Sequence, residues 1–176
     1  MDIKIRQEKP ADYEAVFKLI KKAFKKVEMS DHKEQFLVQL LRNSTSFVPE
    51  LSLIAEYENE IIGHILLTKI TIKNDQTEFN SLALAPVTVL PKYQKKGIGG
   101  MLIEQAHKKA IELGFKSVIL LGHADYYPRF GYKKASRFGV QLPFDVPDEY
   151  CMAIELTTGG LHEVNGIVEY PKEFNG

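Results

Sequence analysis

A nearly continuous apolar run that contains a proline constrains this chain more than any other segment. Residues 81–90 read Ser-Leu-Ala-Leu-Ala-Pro-Val-Thr-Val-Leu, which predicts a strand buried on both faces. Pro86 has no N–H to donate to a neighbouring strand, so the ladder must bulge or break there. A strand with interrupted pairing offers free N–H and C=O groups to a ligand that resembles a peptide.

The loop after this strand is basic and rich in glycine, and it leads directly into a predicted helix. Residues 95–100 read Lys-Lys-Gly-Ile-Gly-Gly. Glycines let the backbone approach a ligand closely, and the amides and dipole of a helix N-terminus favour an anion. The segment therefore predicts an extended, amide-bearing group beside the strand, with phosphates at its end. Coenzyme A has this shape, because its pantetheine arm ends in a pyrophosphate.

The spacing of the glycines does not fit two common phosphate-binding motifs. A P-loop requires Gly-Lys-Ser/Thr at the start of the helix, whereas Met101 follows Gly100. A dinucleotide-binding fingerprint requires a third glycine at position 102, which is Leu102. A glycine-rich turn without a ligand is the remaining alternative.

Composition narrows the class of protein. The 176 residues suit a single domain, with residues 160–176 as a C-terminal extension. Lysine plus arginine and aspartate plus glutamate each number 23, so no net field favours nucleic acid. The single cysteine, Cys151, excludes an intrachain disulfide and a cysteine-rich zinc site, and we expect no metal and an inert core thiol. Neither a signal peptide nor a run of about 18 apolar residues is visible, which predicts a cytoplasmic protein without a membrane span.

Hydrophobic periodicity predicts a mixed α/β sheet with helices on both faces. Strands are expected at residues 3–6, 51–57, 61–72, 81–90, 117–121 and 150–156. Helices are expected at residues 10–24, after a cap at Asp31 with the apolar stripe Phe36, Leu37, Leu40 and Leu41, and at residues 99–113 with Met101, Leu102, Ala106, Ala110 and Leu113 facing inward. Glu58-Asn59-Glu60 is expected to form a hairpin turn, and Gly114 to end the last helix. Residues 167–170 predict one more strand, which either extends the sheet or pairs across a homodimer.

The central strand, loop and helix, followed by a buried strand, require a crossover and therefore a parallel pair. In this context Gln94-Lys95-Lys96-Gly97-Ile98-Gly99 resembles the Gln/Arg-x-x-Gly-x-Gly/Ala pyrophosphate loop of the GNAT superfamily. Residues 82–87, 121–123 and 126–132 further resemble its bacterial YhbS-like branch. The resemblance implies a V-splayed mixed sheet that holds acetyl-coenzyme A between its fourth and fifth strands.

The resemblance also implies which residues bind the cofactor. Backbone groups of Val87, Thr88 and Val89 would bind the pantetheine, and the N–H near Val89 would face the thioester carbonyl. The pyrophosphate would bind the loop and the amides that lead into the helix, at Gln94, Lys95, Lys96, Gly97, Ile98, Gly99 and Gly100.

A tyrosine is the expected proton donor. In the family motif Tyr-x-x-x-Gly-Phe the tyrosine protonates the departing thiolate, and Tyr127 stands four residues before Gly131. Tyr126 is the alternative if the loop register differs by one residue, and an aromatic plug without a catalytic role would account for both. His123 occupies a position where many members carry a cofactor-contacting asparagine, so it is either a contact or a surface histidine.

No general base is assigned. Many members carry an acidic residue near the position of Pro86, but no carboxylate lies between Ser81 and Leu90. Glu56, His64, Glu28 and His32 are the substitutes, alongside a water-bridged carboxylate or an already neutral amine. For His64, a core histidine inside an apolar strand is the plainer interpretation.

The resemblance implies an N-acetyltransferase that uses acetyl-CoA and acetylates a primary amine by direct attack in a ternary complex. Loops expected near the acceptor carry a mildly acidic set of residues, which suits a small cationic amine: Glu28, Asp31, Glu34, Asp75, Glu78, Asp145, Asp148 and Glu149. A non-catalytic acyl-CoA sensor, a protein N-terminal or lysine acetyltransferase and a nucleotide-binding protein are the alternatives.

Overall fold

A nine-stranded mixed sheet forms the centre of the computed structural model, which describes residues 1–175. Its strands are β1 Lys4–Gln7, β2 Ser52–Tyr57, β3 Glu60–Lys73, β4 Glu78–Val89, β5 Ser117–Leu121, β6 Lys133–Lys134, β7 Val140–Gln141, β8 Cys151–Glu155 and β9 Gly166–Glu169. The α-helices of the described residues are α1 Tyr13–Phe24, α2 Glu34–Arg42 and α3 Ile98–Glu112. The predicted mixed α/β class is confirmed.

Local sequence explains how the strands connect. Glu58 and Asn59 join β2 to β3 with φ values of 49° and 64°, as a two-residue type I′ hairpin turn requires.

The sheet runs in the order β1-β2-β3-β4-β5-β8-β6, and β9 pairs with the end of β3 that β2 leaves uncovered. The pair β4–β5, which α3 connects, is parallel. The crossover predicted from the sequence is therefore confirmed.

The ladder of β4 is interrupted where the sequence places Pro86. Ile65 of β3 faces Val87, but Leu67 faces Leu84, so β4 carries one extra residue in a bulge at Ala85-Pro86. On its other edge β4 pairs with β5 only at Leu82 and Ala83. Beyond the bulge β4 keeps β3 as its neighbour and has no register with β5, which opens the sheet into a V.

Helices cover both faces of the sheet, as predicted. On one face α3 packs Leu102, Ile103, Ala106 and Ala110 onto a cluster that includes Ile65 and Leu67 of β3. On the other face α1 and α2 bury a second cluster around Ile54, Leu66 and Ala85. Among the residues described, no helix is both long and apolar enough to cross a membrane.

The apolar stripe predicted for the second helix is partly wrong. Val38 and Leu41 are buried, but Phe36 and Leu40 are 50% and 42% exposed. The helix is rotated because Phe36 packs edge-on against Phe17 of α1, with ring centroids 5.4 Å apart, instead of entering the core. Lys33, and not Asp31, occupies the N-cap position.

The predicted inner face of α3 also needs a correction at its two ends. Met101 and Leu113 are 40% and 41% exposed, because the buried stripe starts at Ile98 and continues through Leu102. Gly114 adopts φ +90° immediately after the C-cap residue Leu113 and confirms the predicted stop.

The C-terminal segment belongs to the same sheet. Val168 of β9 faces Ile72 of β3, and Gly166 faces Val140 of β7. The strand predicted at residues 167–170 therefore extends the sheet within the chain. Gly176 lies outside the described residues.

Two neighbouring positions on α3 test this packing. Leu102→Ala removes a fully buried side chain and should lower the free energy of unfolding by about 2–5 kcal/mol. Met101→Ala, at an exposed position, should change it by less than about 0.5 kcal/mol. Urea denaturation measures both, and a larger loss for Met101→Ala would contradict the observed helix orientation.

Candidate functional site

The opening between β4 and β5 exposes backbone groups of β4. The N–H of Leu90 donates to the carbonyl of Ile62 on β3 at 2.9 Å. Backbone groups of successive strand residues point to alternate sides, so Thr88 also faces β3 whereas Val87 and Val89 face the opening. Of the three predicted pantetheine contacts, two thus present free amides and Thr88 presents only its side chain.

The N-terminus of α3 supplies a second set of free amides beside the opening. The first helical hydrogen bond runs from the N–H of Met101 to the carbonyl of Gly97, at 3.1 Å. Within residues 1–175, no amide of residues 95–100 donates to a backbone carbonyl. Lys95 and Gly97 adopt φ values of +63° and +84°, which turn the loop into the helix. Such a turn forms a ready anion site.

Gln94 closes this loop against the strand. Its side-chain amide donates to the carbonyl of Val89 at 3.1 Å. The bond ties the loop to β4 and uses the Val89 carbonyl, so the Val89 N–H is the group that remains for a ligand.

A cavity of about 890 Å³ connects these two sets of amides. Its charged side chains are Lys95 and Arg129, and no aspartate or glutamate is among the described residues that line it. Lys96 does not line the cavity and instead lies 5.8 Å from the ring centroid of Tyr93. The cavity therefore suits an anion, with Arg129 as a cation that the sequence reasoning missed.

Arg129 has a sequence signal that could have found it. It lies inside the Tyr-x-x-x-Gly-Tyr segment, and its guanidinium stacks 4.8 Å from the ring centroid of Tyr126. Its Nε–H donates to the Tyr126 carbonyl at 2.9 Å. A short helical turn between Tyr127 and Phe130 thus aims the arginine at the cavity.

The two candidate tyrosines occupy different places. A Cβ added at Gly99 would meet the Tyr126 hydroxyl at 2.8 Å, so this hydroxyl sits over the start of α3. Tyr127 is buried and packs edge-on against Tyr126 and Tyr132, at centroid distances of 5.1 and 5.8 Å. Burial, with a smaller effect of Tyr126, raises the pKa of Tyr127 to about 12. Its phenol is therefore protonated throughout the neutral range.

A second cavity, of about 1360 Å³, also has Tyr127 in its lining. The two cavities share four lining residues, Phe24, Val87, His123 and Tyr127. His123 is an exposed residue at this junction, and the sequence analysis left open whether it touches a ligand.

The second cavity differs from the first in its charge. Its acidic lining residues are Glu34, Asp75 and Glu169, and one lysine, Lys73, is held by Glu78 and Glu169 at 3.1 and 3.0 Å. Of the acidic set proposed from the sequence, only Glu34 and Asp75 line the cavity. Glu169 was missed because β9 could not be placed from sequence. The cavity suits a cation, in contrast to the first.

The substitutes proposed for a general base do not gather at this junction. Glu56 is paired with Arg6 at 3.2 Å, and Glu28 and His32 line neither of the two cavities. His64 is fully buried and lines neither cavity. Cys151 is also buried and lines neither cavity, and burial raises the pKa of its thiol. Among the described residues, no three His, Cys, Asp or Glu side chains converge to hold a metal ion.

Comparison with known proteins places this geometry in context. The model of the acetyltransferase (GNAT) family matches residues 13–132. The chain is 40% identical over 119 residues to the uncharacterized N-acetyltransferase YjhQ of Escherichia coli K12, across 67% of this chain and 66% of YjhQ. It is 27% identical over 172 residues to E. coli YhbS, across 97% of this chain and 98% of YhbS.

Solved structures agree with these relatives. A GNAT family acetyltransferase from Brucella melitensis, in complex with acetyl-CoA, superimposes with a TM-score of 0.81 at 29% identity and 98% coverage of both chains. E. coli YhbS in complex with CoA superimposes with a TM-score of 0.88 at 24% identity, over 99% of this chain and 92% of that one. At that identity the second match supports the fold alone.

Gly99 gives a test of the anion site. A side chain there would displace the Tyr126 hydroxyl and fill the space above the helix amides. Gly99→Val should therefore weaken coenzyme A binding roughly tenfold or more, the cost of one charge-assisted hydrogen bond. Isothermal titration measures the affinity, and Met101→Val, at an exposed position of the same helix turn, is the control. If the two variants bound coenzyme A with equal affinity, its phosphates would have to bind somewhere other than the start of α3.

Proposed function

Because the chain belongs to the GNAT acetyltransferase family, we propose that it transfers the acetyl group of acetyl-CoA to a primary amine of a small molecule, by direct attack in a ternary complex. One observation carries this proposal. A cavity that suits an anion and a cavity that suits a cation meet at Val87 and Tyr127, which line both of them.

The first cavity would hold acetyl-CoA. The pantetheine would lie along β4 and bind the free backbone groups of Val87 and the N–H of Val89. Its pyrophosphate would meet the amides of residues 95–100, with Lys95 and Arg129 as counter-charges. The relative from Brucella melitensis, which resembles this chain over its full length, was solved with acetyl-CoA.

The second cavity would hold the amine. Glu34 and Asp75 favour a cation there, and aromatic side chains, Phe24, Phe144 and Tyr170, supply apolar contact. The C-terminal segment from Gly166 to Asn175 forms one wall of this cavity. A wall on that side leaves less room for a protein chain than for a small molecule, which favours a small acceptor.

At the junction the two substrates would react without a covalent enzyme intermediate. The amine nitrogen attacks the thioester carbon, and the N–H of Val89 stabilises the negative charge that develops on the carbonyl oxygen. The carbon–sulfur bond then breaks, and the Tyr127 hydroxyl supplies a proton to the departing sulfur. The protonated state of Tyr127 at neutral pH supports this role.

Thiol release in the presence of acceptors tests the function. Acetyl-CoA would be incubated with 2-phenylethylamine, 1,5-diaminopentane and a lysine-containing peptide, and free thiol followed with time. Faster release with the two small amines than with the peptide or with no acceptor is expected. Preference for the peptide would favour a protein acetyltransferase, and tight binding of acetyl-CoA without release would favour a sensor.

Thermal shift separates these functions from nucleotide binding. A ligand that binds only the folded state stabilises it by mass action, by about 2.7 kcal/mol at a hundred times Kd, and so raises Tm. Coenzyme A should raise Tm, whereas ATP and NAD at the same concentration should raise it much less. Equal shifts would contradict a site built for pantetheine.

Tyr127→Phe is expected to lower kcat by roughly 10²-fold, since it removes the proton donor, while coenzyme A affinity is retained. Because the pKa of Tyr127 is raised to about 12, its ionisation should not reduce the wild-type rate between about pH 7 and 10. Tyr126→Phe is the matched control and should keep most of kcat. Steady-state kinetics across this pH range measure both variants, and the opposite ranking would transfer the role to Tyr126.

A further inference from the structure

A buried polar chain runs from α2 to β3. Arg42 of α2 donates to both carboxylate oxygens of Glu8, from Nε at 3.1 Å and from Nη2 at 2.6 Å. The Ser52 hydroxyl donates to Glu8 Oε1 at 2.9 Å and lies 3.1 Å from Nε2 of His64. All four side chains are buried, and His64 is completely inaccessible.

These bonds fix the tautomer of His64. The Ser52 proton points to the Glu8 carboxylate, which has no proton to give while it pairs with Arg42. The Ser52 oxygen must therefore accept a hydrogen bond from the ring, so Nε2 of His64 carries the hydrogen. The other ring nitrogen, Nδ1, is left with a lone pair and no hydrogen.

This lone pair has no partner within residues 1–175, and neither has the hydroxyl directly across the ladder. His64 faces Thr88 in the register of β3 and β4, so the two side chains project from the same face of the sheet. His64 Nδ1 and Thr88 Oγ1 are both buried and unpaired in the described structure. Thr88 is 3% exposed and lines the first cavity next to Val87 and Val89.

If His64 Nδ1 and Thr88 Oγ1 had only a structural role, leaving both unpaired would lower the stability of the fold. An unsatisfied buried polar atom destabilises a protein by about 1–3 kcal/mol, and here two of them stand side by side. Their neighbours on that face, Ile54 and Leu66, are apolar and offer no hydrogen bond. The lone pair and the hydroxyl belong to residues directly opposite each other on neighbouring strands. A single water that accepts from the hydroxyl and donates to the lone pair would satisfy both.

We propose that His64 accepts the proton of the attacking amine, through the Thr88 hydroxyl and one water that the two side chains hold between them. The inference rests on the proposed acetyl transfer. When the amine nitrogen bonds to the thioester carbon, it becomes positively charged and gives its proton to Thr88 Oγ1. Thr88 passes its own proton to the water, and the water passes one to Nδ1. The sulfur leaves with a proton from Tyr127, and both residues return to their starting states by exchange with solvent.

The surroundings of His64 keep its ring in the neutral form, which can accept a proton. Burial, aided by Arg42 and opposed by Glu8, lowers the pKa of His64 to about 4. Its other polar neighbours, Ser52 and Thr88, are neutral. A folded-state pKa below the usual value keeps the ring neutral at every pH above about 5, so Nδ1 is free to accept. Attack makes the amine nitrogen more acidic than a free alkylammonium, and its acidity rises further as the carbon–sulfur bond breaks and the amide forms, so even a weakly basic ring can take its proton at that stage.

Thr88→Val is the decisive variant, because it keeps the shape of the side chain and deletes only the unpaired hydroxyl. We expect a Tm equal to or above that of the wild type, an unchanged coenzyme A affinity and a kcat lower by roughly 10²-fold. The kcat of this variant should rise with pH where the wild-type value is flat, since hydroxide replaces the lost acceptor. Thr88→Ser, which restores a hydroxyl, should recover most of the rate.

His64→Gln should show the same loss of kcat and the same change in pH profile, with a lower Tm because it disturbs the network. The control is Thr68→Val, a fully buried threonine on β3 that bonds the Ser46 carbonyl at 3.2 Å and lines neither cavity. It should lower Tm and keep kcat. Rates would be measured with acetyl-CoA and the faster of 2-phenylethylamine and 1,5-diaminopentane.

Three results would overturn the inference. The first is a Thr88→Val kcat within about twofold of the wild type, far from the loss expected without a proton acceptor. The second is a coenzyme A affinity that falls by the same factor as the rate, which would make Thr88 a cofactor contact only. The third is a pH profile parallel to that of the wild type. A wild-type protein that releases no thiol would instead overturn the proposed function and the inference with it.

Discussion

The architecture depends on one loss of hydrogen bonding, between β4 and β5 beyond Ala83. Before that residue the two strands pair in parallel, and after it a bulge at Ala85-Pro86 turns β4 away while β3 continues to hold it. Proline makes this break permanent, because its nitrogen cannot donate to any neighbour. The free amides of β4 and the cavity beside them follow from this V-shaped opening, and Tyr127 lines both that cavity and its neighbour.

The opening separates two electrostatic environments. On one side the unpaired amides at the start of α3 combine with Lys95 and Arg129 in a cavity whose described lining has no carboxylate. On the other side Glu34, Asp75 and Glu169 line a larger cavity. Under the proposed function, a polyphosphate and a cationic amine would therefore be attracted into different cavities, and their reactive ends would meet at the residues that line both. The same separation would reduce repulsion between the phosphates of the proposed ligand and the acidic residues of the second cavity.

Local sequence patterns predicted most of the fold. The apolar runs located the long strands, the glycines at residues 97 and 114 marked the limits of α3, and Pro86 indicated the break in the ladder. The predicted helix faces were wrong at Phe36, Leu40 and Met101. An apolar side chain can pack against a neighbouring helix or remain at the surface instead of entering the core. Periodicity gives the existence of a helix more reliably than its rotation.

The broken strand, the helix N-terminus with its free amides and the tyrosine segment can all be recognised in the sequence alone, since each depends on residues within a few positions of one another. Three features appear only in the folded protein. Arg129 lines the first cavity, and β9 lines the second. Hydrogen bonds join the buried side chains of Glu8, Arg42, Ser52 and His64, and His64 lies opposite Thr88. These contacts join residues that are far apart along the chain. No local pattern encodes such contacts, because they exist only once the sheet has fixed its register.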